Sequence, residues 1–143
     1  MNKFLIIAGP NVIESESHTI NMAKRLKDIF NKFDNIDFVF KTSFDKANRT
    51  SVNSYRGLGF DEGLSILKKV KDITGLKVIT DVHESWQCDK VAEVVDIIQI
   101  PAFLCRQTDL IEAAAKTNKI IHVKKGQFLG AESMLKVVEK FRS

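Results

Sequence analysis

The sequence predicts a parallel α/β fold in which five strands alternate with helices. Short apolar runs of strand length recur along the 143 residues, and a stretch with the periodicity of an amphipathic helix follows each of them. No low-complexity segment or linker interrupts this alternation. Because strands that alternate with helices pair side by side through helical crossovers, the pattern indicates one parallel sheet in a single domain of residues 1–143.

The five predicted strands are nearly continuous apolar runs, which are typical of strands buried on both faces of a parallel sheet. They cover residues 4–8, 38–41, 78–80, 97–100 and 120–124. Gly9 and Pro10 end the first run, and Pro101 ends the fourth, since proline lacks the N–H that a strand ladder needs.

The predicted helices have apolar residues on one face and charged residues on the other. Their ranges are 17–33, 61–74, 85–94, 109–117 and 131–141. Ser17, Asp61 and Thr108 are the expected N-caps, because their side-chain oxygens can accept a hydrogen bond from a free helix N–H. Gly75 is the expected end of the second helix.

The alternation fits two architectures, an open doubly wound sheet of five strands or part of a (β/α)8 barrel. A complete barrel needs about 250 residues, so a length of 143 residues favours the open sheet. In either case the chain is long enough to form one compact domain with a sizeable core.

The composition is that of a globular protein with a mild positive charge, at 44% hydrophobic residues, 28% charged residues and a net charge of +4. No run of basic residues exceeds two, so the charge suits a small acidic substrate at least as well as nucleic acid, and we expect no nucleic-acid partner. Cys88 and Cys105 lack metal-site spacing and are expected to be reduced, partly buried thiols. The first apolar run is too short for a signal peptide or a membrane span, which predicts a cytoplasmic protein with no membrane partner.

The segment from residue 41 to residue 59 is the longest stretch without periodicity. It holds Lys41, Lys46, Arg49 and Arg56, with hydroxyl and amide side chains between them. Loops of this length are usually functional or disordered, and the aromatic and β-branched residues within it argue against disorder. Cations interleaved with hydroxyl groups suit a phosphate, so the segment is predicted to be an anion-binding loop.

Further polar residues follow the other predicted strands. Ligands of parallel α/β proteins bind at the carboxyl ends of the strands. The residues at those ends are Asn11, Lys41, Ser43, Lys46, Asn48, Arg49, Asp81, His83, Glu84, Gln99, Phe103, Arg106, Lys124 and Gln127. This collection of cations, carboxyl groups and amides predicts a site for a small, strongly anionic ligand that carries phosphate.

Five segments of the chain resemble the 3-deoxy-D-manno-octulosonate 8-phosphate (KDO8P) synthase family, in the family's order and spacing. They are GPNVIES at 9–15, KTSFDKANRTSVNSYRG at 41–57, ITDVHE at 79–84, IQIPAFLCRQTDL at 98–110 and VKKGQF at 123–128. Members of this family are complete (β/α)8 barrels. The resemblance therefore implies a partial barrel, the first five of eight βα units, with an end at Ser143 that would make the chain a fragment or a truncated product. The five-stranded open sheet stays the alternative.

The resemblance also implies a reaction, the condensation of phosphoenolpyruvate with D-arabinose 5-phosphate and water to give KDO8P and phosphate. Such an enzyme is a transferase of lipopolysaccharide biosynthesis, and a homo-oligomer, a tetramer in the family. The fragment itself is expected to be inactive. Two alternatives stay open: a non-catalytic α/β domain that binds a sugar phosphate, and a related synthase that condenses phosphoenolpyruvate with another aldose phosphate.

By matching motif positions, the resemblance assigns the predicted catalytic roles to Lys46, Lys124, Asn11 and Asp81. The two lysines would hold phosphoenolpyruvate and polarise its reacting centre. The residues that would line the phosphoenolpyruvate pocket are Lys41, Ser43, Ala102, Phe103 and Gln127. Those that would serve arabinose 5-phosphate are Asn48, Arg49 and Thr50, with Arg106 adding charge near the phosphates. A hydrogen-bonded floor that orients the lysines would consist of Asp81, His83, Glu84 and Gln99.

Asn11 implies the metal-independent form of the family, because the metal-dependent form carries cysteine at this position. A thiolate is a strong ligand for a borderline divalent ion, whereas a neutral amide oxygen is a weak one. We therefore expect no metal and no other cofactor. His122 is interpreted as a packing or outward-facing residue, His18 as a surface helix residue and Trp86 as a packing anchor.

Overall fold

The computed structural model describes residues 3–141 and confirms the alternation of five strands with helices. The strands are β1 (Phe4–Ala8), β2 (Ile36–Lys41), β3 (Lys77–Asp81), β4 (Ile97–Ile100) and β5 (Ile120–Val123). The helices are α1 (Glu16–Phe30), α2 (Phe60–Thr74), α3 (Gln87–Ala92), α4 (Thr108–Lys116) and α5 (Met134–Glu139), and a 3-10 turn covers Ala102–Leu104. Arg142 and Ser143, where a truncation was inferred, lie outside the described residues.

The chain divides into two compact units, Met1–Thr80 and Asp81–Ser143. In the first unit β1 pairs with β2 and β2 with β3, and in the second β4 pairs with β5; every one of these pairs is parallel. Strand order follows sequence order, without the reversal that marks a doubly wound sheet. The fold class is therefore the predicted one, parallel α/β with the strand order of a partial (β/α)8 barrel. The single domain stays a prediction.

The core of the first unit lies between the strands and the two long helices. Val39 and Phe40 on β2 and Leu67 and Val70 on α2 are almost completely buried, as the helical and strand periodicities predicted. Lys27 on α1 donates a hydrogen bond of 2.6 Å from its Nζ to the carbonyl oxygen of Thr74, at the end of α2. This bond satisfies one of the carbonyl groups that a helix leaves free at its C-terminus.

The core of the second unit is formed by β4 and the apolar faces of α3 and α4. Its buried residues include Ile98 and Ile100 on β4, Val91 on α3 and Ile111 on α4. Cys88 and Cys105 are both free, as predicted, and they are completely rather than partly buried.

Three helices begin at residues other than the predicted N-caps. Ser15, not Ser17, is the N-cap of α1, and its hydroxyl accepts a hydrogen bond of 3.2 Å from the N–H of His18. Gly59 precedes α2 in place of Asp61, and Gln107 precedes α4 in place of Thr108. Gly75 ends α2 in the left-handed conformation, as predicted. Unlike Ser15, neither Gly59 nor Gln107 makes a side-chain hydrogen bond to the helix that it precedes.

Two predictions of burial are wrong. Phe4 and Leu5, expected inside a strand buried on both faces, are 70% and 52% exposed on β1. Trp86, expected to be a packing anchor, is 58% exposed, and the Nζ of Lys90 lies 5.8 Å from the centre of its ring. Both errors follow from treating large apolar side chains as core, although much of a folded surface is apolar. Within residues 3–141, no helix is both long and apolar enough to cross a membrane.

Candidate functional site

Two lysine side chains converge on one buried serine just beyond β2. Lys41 is the last residue of β2, and Ser43 and Lys46 follow it in the predicted anion-binding loop. The Nζ atoms of Lys41 and Lys46 each donate a hydrogen bond of 2.8 Å to the Oγ atom of Ser43. The two ammonium groups can therefore be no farther apart than twice that distance. Two cations held this close form a site that favours an anion of high charge density, such as phosphate.

The rest of the predicted loop is closed by hydrogen bonds rather than disordered. The N–H of Lys46 donates a hydrogen bond of 2.7 Å to the carbonyl oxygen of Arg56. The N–H of Gly59 donates one of 3.2 Å to the carbonyl oxygen of Phe44. Arg56 also binds the Asp45 carboxylate with two donors, one of them Nε at 2.8 Å, and this bond raises the pKa of the guanidinium. Phe44 is buried and packs edge-on against Phe60, with ring centres 5.2 Å apart. The loop thus holds Lys46 in a fixed position.

The segment after β1 is bound to the same loop through the peptide groups of Ile13. The N–H of Ile13 donates to the carbonyl oxygen of Ser43, and its carbonyl oxygen accepts from the hydroxyl of Tyr55, both at 3.0 Å. Gly9 permits the approach of β1, because a Cβ atom at this position would overlap the carbonyl oxygen of Lys41. Asn11 lies between Gly9 and Ile13, exposed, so its backbone is anchored beside the lysine cluster from both sides.

Asp81 and His83 form a buried pair in the second unit. Asp81 is the last residue of β3, and its Oδ2 lies 3.1 Å from the Nε2 of His83. The Oε1 of Gln87, the first residue of α3, accepts hydrogen bonds from the N–H groups of His83 at 2.7 Å and of Glu84 at 3.2 Å. Gln87 thus fixes the turn that carries His83. The sequence reasoning missed it, although a polar residue four positions after His83 at a helix start was a usable signal.

Gln99 lies on β4, and Lys124 directly follows β5, the strand that pairs with β4. Gln99 is buried, and its carbonyl oxygen accepts a hydrogen bond of 3.1 Å from the N–H of Val82. The strand register sets Gln99 opposite His122, and the N–H of Lys124 donates to Ile100 beyond the end of β5. The sequence analysis interpreted His122 as a packing or outward-facing residue, and the structure places it half-buried on β5.

The remaining predicted residues are spread along more exposed loops. Ala102 is half-buried on the 3-10 turn; exposed positions are taken by Asn48, Arg49, Thr50, Glu84, Phe103, Arg106 and Gln127. Arg49 donates one hydrogen bond, from Nε to the carbonyl oxygen of Tyr55 at 3.2 Å. The structure therefore joins Lys41, Ser43 and Lys46 in one cluster and Asp81 and His83 in another. Across the described part of the chain, no three His, Cys, Asp or Glu side chains converge as ligands for a metal ion.

Comparison with known proteins matches the whole chain to one family. The profile of the DAHP synthetase I family covers residues 1–143. A protein of Arabidopsis thaliana named 2-dehydro-3-deoxyphosphooctonate aldolase 2 and a protein of Pisum sativum named 2-dehydro-3-deoxyphosphooctonate aldolase are each 60% identical to the chain over 139 residues. A protein of the latter name from Campylobacter jejuni subsp. doylei is 57% identical over 140 residues.

These alignments cover nearly all of this chain but only part of each relative. They include 97% of the chain and 47% and 48% of the two plant proteins, and 98% of the chain and 52% of the Campylobacter protein. The chain thus spans about half the length of the relatives it matches. The five motifs quoted above lie within these alignments, which confirms the resemblance to KDO8P synthase. These relatives carry the name 2-dehydro-3-deoxyphosphooctonate aldolase, which is another name for KDO8P synthase. The chain belongs to the DAHP synthetase I family.

Proposed function

We propose that the chain supplies part of the active site of a KDO8P synthase, a transferase that condenses phosphoenolpyruvate with D-arabinose 5-phosphate and water. The observation that supports this most directly is the convergence of Lys41 and Lys46 on the hydroxyl of Ser43. Phosphoenolpyruvate carries a phosphate and a carboxylate on the same carbon atom, C2. A pair of fixed cations suits such a ligand better than a single lysine at the surface would.

In the proposed reaction, C3 of phosphoenolpyruvate forms a bond to the aldehyde carbon of the sugar, and the aldehyde oxygen takes up a proton. Water adds at C2, and phosphate leaves with the oxygen that joined it to C2. Lys46 and Lys124 hold phosphoenolpyruvate and stabilise the charge that develops on it, with Asn11 beside the reacting centre. Lys41, Ser43, Ala102, Phe103 and Gln127 line its pocket.

The Asp81–His83 pair suits a positioning role. Both side chains are largely buried and hydrogen-bonded to each other, so they resist rotation. We assign them, with Glu84 and Gln99, to the floor that orients the lysines.

The exposed part of the loop is assigned to arabinose 5-phosphate. Asn48, Arg49 and Thr50 offer an amide, a guanidinium and a hydroxyl to solvent. Arg49 uses only Nε in its bond to Tyr55, so its terminal N–H groups can bind the sugar phosphate. Arg106 adds a further positive charge.

Five further properties belong to the same proposal. The enzyme works without a metal or another cofactor, because Asn11 replaces the thiolate ligand of the metal-dependent form. It is cytoplasmic, it acts in lipopolysaccharide biosynthesis, and it assembles into a homo-oligomer. The 143-residue chain alone is expected to be inactive.

A chimera tests this proposal. Residues 1–140 of the chain replace the corresponding half of the Campylobacter jejuni relative, and phosphate release from phosphoenolpyruvate is followed with that relative as the control. We expect release that depends on arabinose 5-phosphate and survives exhaustive chelation. Release with a four-carbon aldose phosphate instead would indicate the heptulosonate reaction. Ligand binding without release would indicate a non-catalytic domain, and a loss on chelation that manganese restores would contradict the metal-free form.

A further inference from the structure

The turn between β3 and α3 depends on a side chain for two of its backbone hydrogen bonds. β3 ends at Asp81 and α3 begins at Gln87. Just beyond β3, the N–H of Val82 still bonds towards β4, donating to the carbonyl oxygen of Gln99 at 3.1 Å. The residues after it have left the sheet and have not yet entered the helix. Because a backbone N–H that is shielded from water is costly to leave without an acceptor, these residues need one from elsewhere.

Gln87 supplies that acceptor. Its Oε1 accepts hydrogen bonds from the N–H of His83 at 2.7 Å and from the N–H of Glu84 at 3.2 Å. Its own N–H donates to the carbonyl oxygen of Glu84 at 3.1 Å. Since both partners of the side chain are donors, the atom that faces them is the amide oxygen and not the amide nitrogen. The side chain is buried, at 7% exposure, so the three bonds leave the turn little freedom.

The turn in turn sets the position of the His83 ring. The side chains of His83 and Asp81 are only 11% and 8% exposed, and Nε2 lies 3.1 Å from Oδ2. Asp81 is held as the last residue of β3, whereas His83 lies beyond the strand. The ring therefore faces Asp81 as long as the turn keeps its conformation. A carboxylate accepts hydrogen bonds and does not donate them, so Nε2 carries the proton of this bond.

We propose that Gln87 is a positioning residue of the active site, which holds the backbone of His83 and thereby sets the protonated Nε2 against Asp81. This inference rests on the proposed function, in which Asp81 and His83 belong to the floor that orients the lysines. Gln87 acts through His83 and touches no substrate in that reaction. It lies beyond the ITDVHE segment, which ends at Glu84, so the family resemblance assigned it no role.

Imidazole nitrogen NMR shifts of the chain test the positioning. We expect the parent chain to carry the His83 proton on Nε2. Gln87→Met keeps the length of the side chain but lacks the acceptor; the proton should then be shared between Nδ1 and Nε2 and exchange faster with water. Gln87→Asn draws the amide oxygen back by one carbon and should have the same effect with a polar side chain. The control is Val91→Ala, which leaves a cavity under α3 but keeps the amide oxygen, and should leave the His83 shifts unchanged.

Phosphate release by the chimera tests the consequence for the reaction. Gln87→Met should lower kcat and kcat/KM alike, by about tenfold or more, because a small displacement of a positioning group is costly in the transition state. Val91→Ala should keep the parent kcat.

Unchanged His83 shifts in both Gln87 variants, or equal changes in Val91→Ala, would overturn the positioning role. A normal kcat in Gln87→Met despite altered shifts would overturn its part in the reaction. A parent chimera without activity would instead overturn the proposed synthase function, and the NMR comparison separates that result from a failure of Gln87 to position His83.

Discussion

Ser43 gives the lysine cluster its geometry at the scale of single residues. Its side chain is fully buried, and its Oγ accepts bonds from both ammonium groups. A lysine side chain loses much rotational freedom when it is held, and a common acceptor fixes two of them at once. The site is thereby ordered before a ligand arrives, which is what electrostatic stabilisation of a developing charge requires.

We expect Lys46→Ala, introduced into the chimera, to reduce phosphate release at least about a hundredfold. A positioned group at a developing charge contributes about 3 kcal/mol or more to the reaction barrier. Initial rates at saturating substrate give the comparison. Lys68→Ala, a change on the exposed face of α2, is the control and should leave the rate unchanged. Near-normal activity of the Lys46 variant would remove this lysine from the mechanism.

Thr42 and Thr80 carry a second residue-scale prediction. They directly follow the paired residues Lys41 and Ile79, both are fully buried, and neither hydroxyl has a hydrogen-bond partner in the described part of the chain. Valine has nearly the same shape without the hydroxyl. Thr80→Val should therefore raise the free energy of unfolding by about 1–3 kcal/mol, measured by urea denaturation.

Thr74→Val is the matched control. The Thr74 hydroxyl is also buried, but it donates to the carbonyl oxygen of Val70 at 2.6 Å and accepts from the N–H of Leu76 at 3.2 Å. Its removal should destabilise the protein. Equal destabilisation by both changes would mean that Thr80 is hydrogen-bonded in solution, through a buried water for example.

Cys88 predicts a dependence of stability on pH. Burial, with a smaller contribution from Asp89, raises the pKa of its thiol from 9.0 to about 11. The unfolded chain loses this proton near pH 9 and the folded chain only near pH 11, so folding binds a proton between these values. The contribution of Cys88 to stability is therefore complete below pH 9 and falls as pH rises towards 11. Urea midpoints should fall less steeply over this range in Cys88→Ala than in the parent chain; equal slopes would contradict the assignment.

Gly63 connects the anion-binding loop to α2 at the scale of the elements. A Cβ atom at this position would overlap the Cβ of the buried Phe44, which precedes Asp45 and Lys46 in the loop. Alanine normally favours a helix over glycine by about 1 kcal/mol. The overlap should reverse this, and we expect Gly63→Ala to cost about 1–3 kcal/mol in unfolding free energy.

The control for Gly63→Ala is Ser65→Ala, at an exposed position of the same helix. Urea denaturation compares their stabilities, and phosphate-induced amide shifts at Ser43 report on the lysine cluster. Displacement of Phe44 should weaken those shifts in the Gly63 variant alone. A Gly63 variant as stable as the Ser65 variant would show that Phe44 can move aside freely.

The order and type of the elements could be predicted from sequence because they depend on local periodicity, and the motifs indicated which residues belong to the site. What could not be predicted depends on contacts between distant parts of the chain. The choice of Ser15 over Ser17 as the cap of α1 depends on small differences in backbone angle. The shared acceptor role of Ser43 depends on side-chain rotamers, and the anchoring of Ile13 by Tyr55 joins segments 42 residues apart.

At the scale of the whole molecule, each of the two units carries some of the residues predicted for the site, near the ends of its own parallel strands. The first unit carries the lysine cluster and the anion-binding loop. The second carries the Asp81–His83 pair, Gln99 on β4 and Lys124 just after β5. Since residues from both units match the family motifs, we expect neither unit to be catalytic alone.

Exposed apolar residues on β1 predict the behaviour of the 143-residue chain in solution. Phe4 and Leu5 are largely exposed. Within residues 3–141, β1 is the first strand in the sheet order and its neighbour is β2, so β1 forms an edge of the sheet. An exposed edge with apolar side chains invites association with a second copy. We expect sedimentation velocity to show concentration-dependent self-association that Leu5→Lys reduces. Val52→Lys alters an even more exposed side chain, on the loop rather than on β1, and should leave the association unchanged. A monomer at all concentrations with a sharp cooperative melt would show that β1 is protected in solution.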